Sequence, residues 1–156
     1  MTAKFISLSK DDISVSVKGL SELLANTYIL SVKTQNFHWN VQDSRFYMLH
    51  DFFSDQYNEL SEAVDEIAER IRMLGEHVPG AMAFYLKLGC LEESELIKDG
   101  DLMLRALTKD HNIIIAALRT TIEQVSQTQD QGTLDFLISR LQYHEKIAWM
   151  TSSHYQ

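Results

Sequence analysis

Apolar residues recur along this chain at the three- and four-residue spacing of helices, and polar clusters interrupt that rhythm in only a few places. From Ser9 or Asp12 to Trp39, the residues Leu20, Leu23, Thr27, Leu30, Thr34 and Phe37 share one helical face. From Ser44 to Leu74, the residues Phe46, Leu49, Phe53, Leu60, Val64, Ile67, Ile71 and Leu74 fall within about 45° of one direction on a wheel of about 100° per residue, and Gly75 ends the run. A third long helix is expected over residues 100–127, carrying Leu104, Leu107, Ile114, Leu118, Ile122 and Val125. After the polar turn from Gln127 to Gly132, a fourth is expected over residues 133–153. The stretch from Gly75 through Pro79-Gly80 to Asp99 is a long connection whose portion from Ala81 to Leu88 is apolar enough to form a short packed helix.

Loop lengths turn these elements into a topology. Short links join the first helix to the second and the third to the fourth, while the middle connection is long enough to run the length of a bundle. The expected fold is therefore all-α: a single domain over residues 1–156 made of two antiparallel hairpins joined by a crossover, the ferritin-like arrangement of a four-helix bundle rather than a simple up-down-up-down one. Composition agrees, with 45% hydrophobic residues, six glycines and one proline. The single Cys90 cannot form an intrachain disulfide and reads as a buried or loop thiol. No stretch resembles a signal peptide or an apolar membrane span, so a soluble cytoplasmic protein is expected.

Charge narrows the partners. A net charge of −8 opposes binding to a polyanion unless cations are gathered in one patch, and none is visible. Lys4 and Lys10 are followed at once by Asp11 and Asp12, and the last six residues hold no Lys or Arg. DNA binding is therefore not expected, whereas handling of cations fits.

Four side chains carry candidate chemistry: His38, His50, Asp65 and Glu69, two imidazoles followed by two carboxylates. That donor mixture suits a borderline divalent metal such as Fe²⁺. On one unbroken helix His38 and His50 would stand roughly 18 Å apart, so the helix must break between them. Asn40-Val41-Gln42-Asp43-Ser44 is that break, with Asp43 or Ser44 a candidate cap for the next helix. The hairpin then sets His38 beside the first turns that carry His50. Asp65 and Glu69 are adjacent on the second helix but point about 135–175° from its core direction, while His50 sits near the core edge at about 75°. A two-fold interface solves this: His38 and His50 of one subunit face the carboxylates of another, making two equivalent sites. Taken singly, an acidic face with Asp55, Glu59, Glu62 and Glu66 is a solvated surface, and a His beside a Trp is a packed residue. The conjunction is what points to a metal.

No Glu in the chain is followed three residues later by His, so the usual intrachain di-iron motif is absent. The segments Asn36-Phe37-His38-Trp39-Asn40-Val41, Phe46-Tyr47-Met48-Leu49-His50 and Asp65-Glu66-Ile67-Ala68-Glu69-Arg70-Ile71 resemble the Dps family of mini-ferritins, and the resemblance covers nearly the whole chain. It implies a hollow homododecamer that oxidises Fe²⁺, preferably with hydrogen peroxide, and stores ferric mineral. It implies also that His38, His50, Asp65 and Glu69 are the ferroxidase ligands. Where the family often has an acidic residue four positions after the second His, this chain has Ser54, which implies a weaker second iron position. Trp39 reads either as an electron donor to stray oxidant or as a packed aromatic at the helix end. Asp130 and Asp135 read either as dipole-stabilising carboxylates at a helix start or, through the resemblance, as lining of a three-fold pore. Tyr28 and Trp149 are expected to pack, Tyr47 to lie at a subunit interface, and His77, His111, His144 and His154 to be structural. The other function classes are a nucleoid-packing DNA binder and a catalytically silent bundle.

Overall fold

A computed structural model of the protein describes residues 6–155. Lys4, used in the charge argument, lies outside the described residues. Five helices follow in order: α1 (Lys10–Asn40), α2 (Phe46–Met73), α3 (Met82–Leu88), α4 (Gly100–Ser126) and α5 (Gln131–Ser153). α1 pairs with α2 and α4 with α5, and the crossover that joins the hairpins carries α3, which packs on α1. The expected all-α bundle is what forms, with no strand among the described residues.

Local chemistry sets most of the boundaries. Ser9 starts α1 by accepting the Asp12 N–H at 3.0 Å, and Asp99 starts α4 by accepting from Leu102 N–H at 2.9 Å. Gly75 adopts a φ of 92°, a left-handed conformation that a residue without Cβ takes at little cost, and α2 stops there. Leu20, Leu24, Leu30, Phe37, Leu49, Phe53, Leu60, Ile67, Ile71, Met103, Leu104 and Leu107 are buried between the helices, following the periodic faces of the sequence. Tyr28 packs as expected, stacked on Tyr85 of α3 with ring centroids 4.6 Å apart.

Some expectations need correction. α2 begins at Phe46 rather than Ser44, and neither Asp43 nor Ser44 caps it; Arg45 holds the cap position without a side-chain cap bond. Asp43 instead folds back on the loop, accepting the Arg45 backbone N–H at 2.8 Å and its guanidinium at 2.6 Å. The Arg45 bond holds the Asp43 carboxyl down to about 2. Arg45 also reaches Asp101 of α4 at 2.7 Å, and Gln42 N–H donates to the Lys98 carbonyl at 2.7 Å, so the short loop is clasped to the end of the crossover. α5 begins two residues earlier than expected because Asp130 caps it by accepting the Thr133 N–H at 3.0 Å. Phe46, expected in the core, is 48% exposed. Trp149, expected to pack, is 67% exposed: on the wheel it lies about 150° from the mean direction of the buried His144, Ile147, Ala148 and Thr151.

Candidate metal centre

The tight turn after α1 brings His38, in the last turn of that helix, against His50 in the second turn of α2. Their rings stack with centroids 3.8 Å apart and planes 23° from parallel. Each ring bonds the other residue's backbone: His38 Nδ1 meets the His50 carbonyl at 2.8 Å, and His50 Nδ1 meets the His38 carbonyl at 2.9 Å. A carbonyl only accepts, so both Nδ1 atoms carry the proton. The His38 carbonyl belongs to the last turn of α1, where helix carbonyls have no intrahelical partner, and the His50 imidazole supplies one. The consequence is chemical: the neutral form of each ring has its lone pair on Nε2, the tautomer a metal ligand needs, fixed by what the opposite nitrogen binds. Both residues are only half-buried.

The rings continue outward on both sides of the pair. Phe46 stacks on His50 at 5.0 Å and 24°, and Tyr57 meets His38 at 5.2 Å and 67°. Sequence reasoning missed this role for both. Phe46 stands four residues before His50 and Tyr57 seven after it, so all three share one helical face, which was the available signal.

Asp65 and Glu69 lie exposed one turn apart on α2. The chain does not bring them to its own histidines: no group of three or more His, Cys, Asp or Glu able to hold a metal forms among the described residues. Ser54 is half-buried, and Asp51 and Asp55 are exposed. Trp39 is 66% exposed, so the packed-aromatic reading does not hold within one chain; Tyr47 is 80% exposed, off the core as expected.

The residue after Glu69 anchors this end of α2. Arg70 donates to the Asp130 carboxylate at 2.7 Å and to the Thr133 hydroxyl at 3.0 Å, tying the carboxylate-bearing helix to the start of α5. Burial works against the Asp130 carboxylate, but the bond from the Thr133 N–H and the Arg70 guanidinium hold its pKa below the ordinary value. Asp130 is thus committed to the helix start, while Asp135 stays exposed.

The other histidines behave as structural residues. His77 is exposed beside Arg72, and His154 at the end of α5 packs on Phe52 at 5.5 Å. His111 and His144 are fully buried, with Nδ1 atoms 2.9 Å apart. Desolvation lowers both pKa values, that of His111 to about 3, and His111 together with the Arg140 guanidinium lowers His144 further. Cys90 is an exposed loop thiol whose backbone N–H donates to Asn26 Oδ1 at 2.8 Å.

The ferritin-like domain model matches residues 17–156. A Porphyromonas gingivalis protein named DNA protection during starvation protein is 32% identical over 147 residues, covering 94% of this chain and 92% of its own. The chain belongs to the Dps family. A low temperature-induced protein of Nostoc is 39% identical over 140 residues, 86% of this chain and 76% of that protein. The crystal structure of the Dps protein from Vibrio cholerae, titled as a member of the ferritin-like diiron-carboxylate superfamily, superposes with a TM-score of 0.94 at 28% identity, covering 100% of this chain and 98% of that one. The Staphylococcus aureus Dps structure matches with a TM-score of 0.88 at 30% identity over 96% of this chain and 99% of that one. This Dps chain therefore has the ferritin-like bundle that its loop lengths imply.

Proposed function

We propose that this Dps protein is a homo-oligomeric iron store, a dodecameric shell, that oxidises Fe²⁺ at sites shared between subunits. Family membership supports iron storage and protection from stress in general. The finer reading rests on one observation: the stacked His38 and His50 present two bare Nε2 atoms at the edge of the bundle, and Asp65 and Glu69 are exposed on another face of α2. Each half is incomplete alone, and a two-fold pairing completes both.

Iron is the substrate here. Imidazoles and carboxylates suit Fe²⁺ and leave positions open for peroxide. Two Fe²⁺ each give one electron to one H₂O₂; the O–O bond breaks, two protons are taken up and two waters leave, so no hydroxyl radical is released. Trp39, exposed and next to His38 in sequence, is the proposed electron donor to stray oxidant. Asp135 at the start of α5 is the remaining candidate for a pore carboxylate. The DNA-binding alternative is opposed by the net charge of −8, since contacts to phosphates need clustered cations. Anaerobic Fe²⁺-loaded protein mixed with peroxide tests the reading. Consumption of two Fe²⁺ per H₂O₂, much faster than with oxygen and lost in His38→Ala, is expected; peroxide-independent oxidation, or full activity in His38→Ala, contradicts it.

A further inference from the structure

The two proposed imidazole ligands are the middle of a run of four aromatic rings in contact, Phe46 stacked on His50 and Tyr57 set edge-on to His38. Phe46, His50, His38 and Tyr57 follow one another at centroid separations of 5.0, 3.8 and 5.2 Å. Phe46 is 48% exposed and Tyr57 is half-buried at the edge of the bundle. An apolar ring at that depth gains less from burial than one in the core. Its clear partner is the His50 imidazole, as Tyr57's is that of His38.

The hydrogen bonds fix which nitrogen of each imidazole carries the proton, but a ring held through one nitrogen still rocks about that bond. A neighbour on the open side of each ring removes this freedom. Both Nε2 atoms are then held in place before a cation arrives, and ordering that precedes binding is not charged against affinity.

We propose that Phe46 and Tyr57 are positioning residues that clamp the His50 and His38 rings from either side and so set the affinity of the metal site. This rests on the reading that His38 and His50 are ligands. The phenol oxygen of Tyr57 is not needed; its ring is. The aromatic at each end therefore acts through a histidine, not on the metal.

Titration of the assembled, metal-free protein with Co²⁺, followed by its visible d–d absorption, separates the two ideas. Co²⁺ accepts the same donors and is not turned over. Wild type is expected to bind it, and His38→Ala to lose the band. Tyr57→Leu and Phe46→Leu should each weaken Co²⁺ binding on the order of tenfold, the scale of a lost contact behind a ligand, while Tyr57→Phe binds as wild type. Sedimentation confirms that each variant compared is assembled, and the substitutions at opposite ends of the run provide independent variants. A Co²⁺ band unchanged in His38→Ala overturns the ligand reading and the clamp with it. If His38→Ala loses the band but both leucine variants bind as wild type, the ligand reading stands and the clamp is wrong. Equal weakening in Tyr57→Phe and Tyr57→Leu also overturns the clamp, because the ring alone would then not suffice.

Discussion

Each hairpin of the bundle holds a pair of histidines in contact, and the two pairs bond in opposite ways. In the α1/α2 hairpin each Nδ1–H donates to the other residue's carbonyl, so both rings take the same tautomer and both Nε2 lone pairs are free. In the α4/α5 hairpin His111 Nδ1 faces His144 Nδ1 at 2.9 Å, so one must donate and the other accept, and the two rings are opposite tautomers. The second pair is fully buried, and neither of its Nε2 atoms has a hydrogen-bond partner among the described residues. Contact between histidines does not make a metal site. What the opposite nitrogen binds, and whether the lone pair reaches a surface where carboxylates can meet it, decides the matter.

The largest effect that sharpens this comparison is on iron chemistry. His38→Ala or His50→Ala should slow peroxide-driven Fe²⁺ oxidation roughly a hundredfold or more, whereas His111→Leu/His144→Leu should leave the rate per folded subunit unchanged. Stopped-flow absorbance of ferric product checks both. A comparable loss in the buried double variant would break the distinction.

Stability should respond in the reverse order. His144→Leu strands the His111 Nδ1 in the core, at a cost of about 1–3 kcal/mol, while the double leucine variant removes both polar partners and should cost less than the single one. Denaturant unfolding of single and double variants measures the difference. Equal and additive losses would contradict it.

Acid separates the pairs further. Burial holds the folded-state pKa of His111 at about 3, below its ordinary 6.5, so between those values the unfolded chain binds more protons and stability falls as pH falls. Each such group contributes a slope of up to about 1.4 kcal/mol per pH unit, fully restored above the unfolded pKa. The same window applies in direction to His144, whose pKa burial lowers as well. Unfolding measured from pH 7 to 4 should show a shallower acid limb in His111→Leu/His144→Leu; an unchanged limb would mean that the buried pair is not its source.

The smallest expected effect lies at Ser54. Fe²⁺ titration should show one strong and one weaker position per site, and Ser54→Asp should strengthen the weaker phase by adding a charged oxygen ligand. Two equal phases in wild type, or no change in Ser54→Asp, would remove Ser54 from the account.

The hairpins, the crossover and the placement of His38 beside His50 were legible because helical period and loop length are written in consecutive residues. Phe46 misled because its position on the wheel matches Leu49 and Phe53, yet it sits at the first residue of α2, where the neighbouring helix ends and a histidine ring is the surface at hand. Trp149 misled because size suggested burial and its position on α5 decided otherwise. The mutual bond of His111 and His144 joins residues 33 apart on different helices, and no local spacing signals it. Asp65 and Glu69 could be placed on a face from sequence, but the chain does not bring them to its own histidines, so no contact within one subunit completes their reading.

Mixed assembly tests the shared site most directly. Asp65→Ala and His38→Ala subunits, each nearly inactive in its own shell, are unfolded together, refolded and assayed for peroxide-driven Fe²⁺ oxidation. With ligands contributed by two chains, dimers holding one subunit of each kind have one intact site in two, and activity should rise well above the average of the two mutants. Mixed shells no more active than that average, with exchange of subunits verified, would contradict sites built from His38 and His50 of one subunit and Asp65 and Glu69 of another.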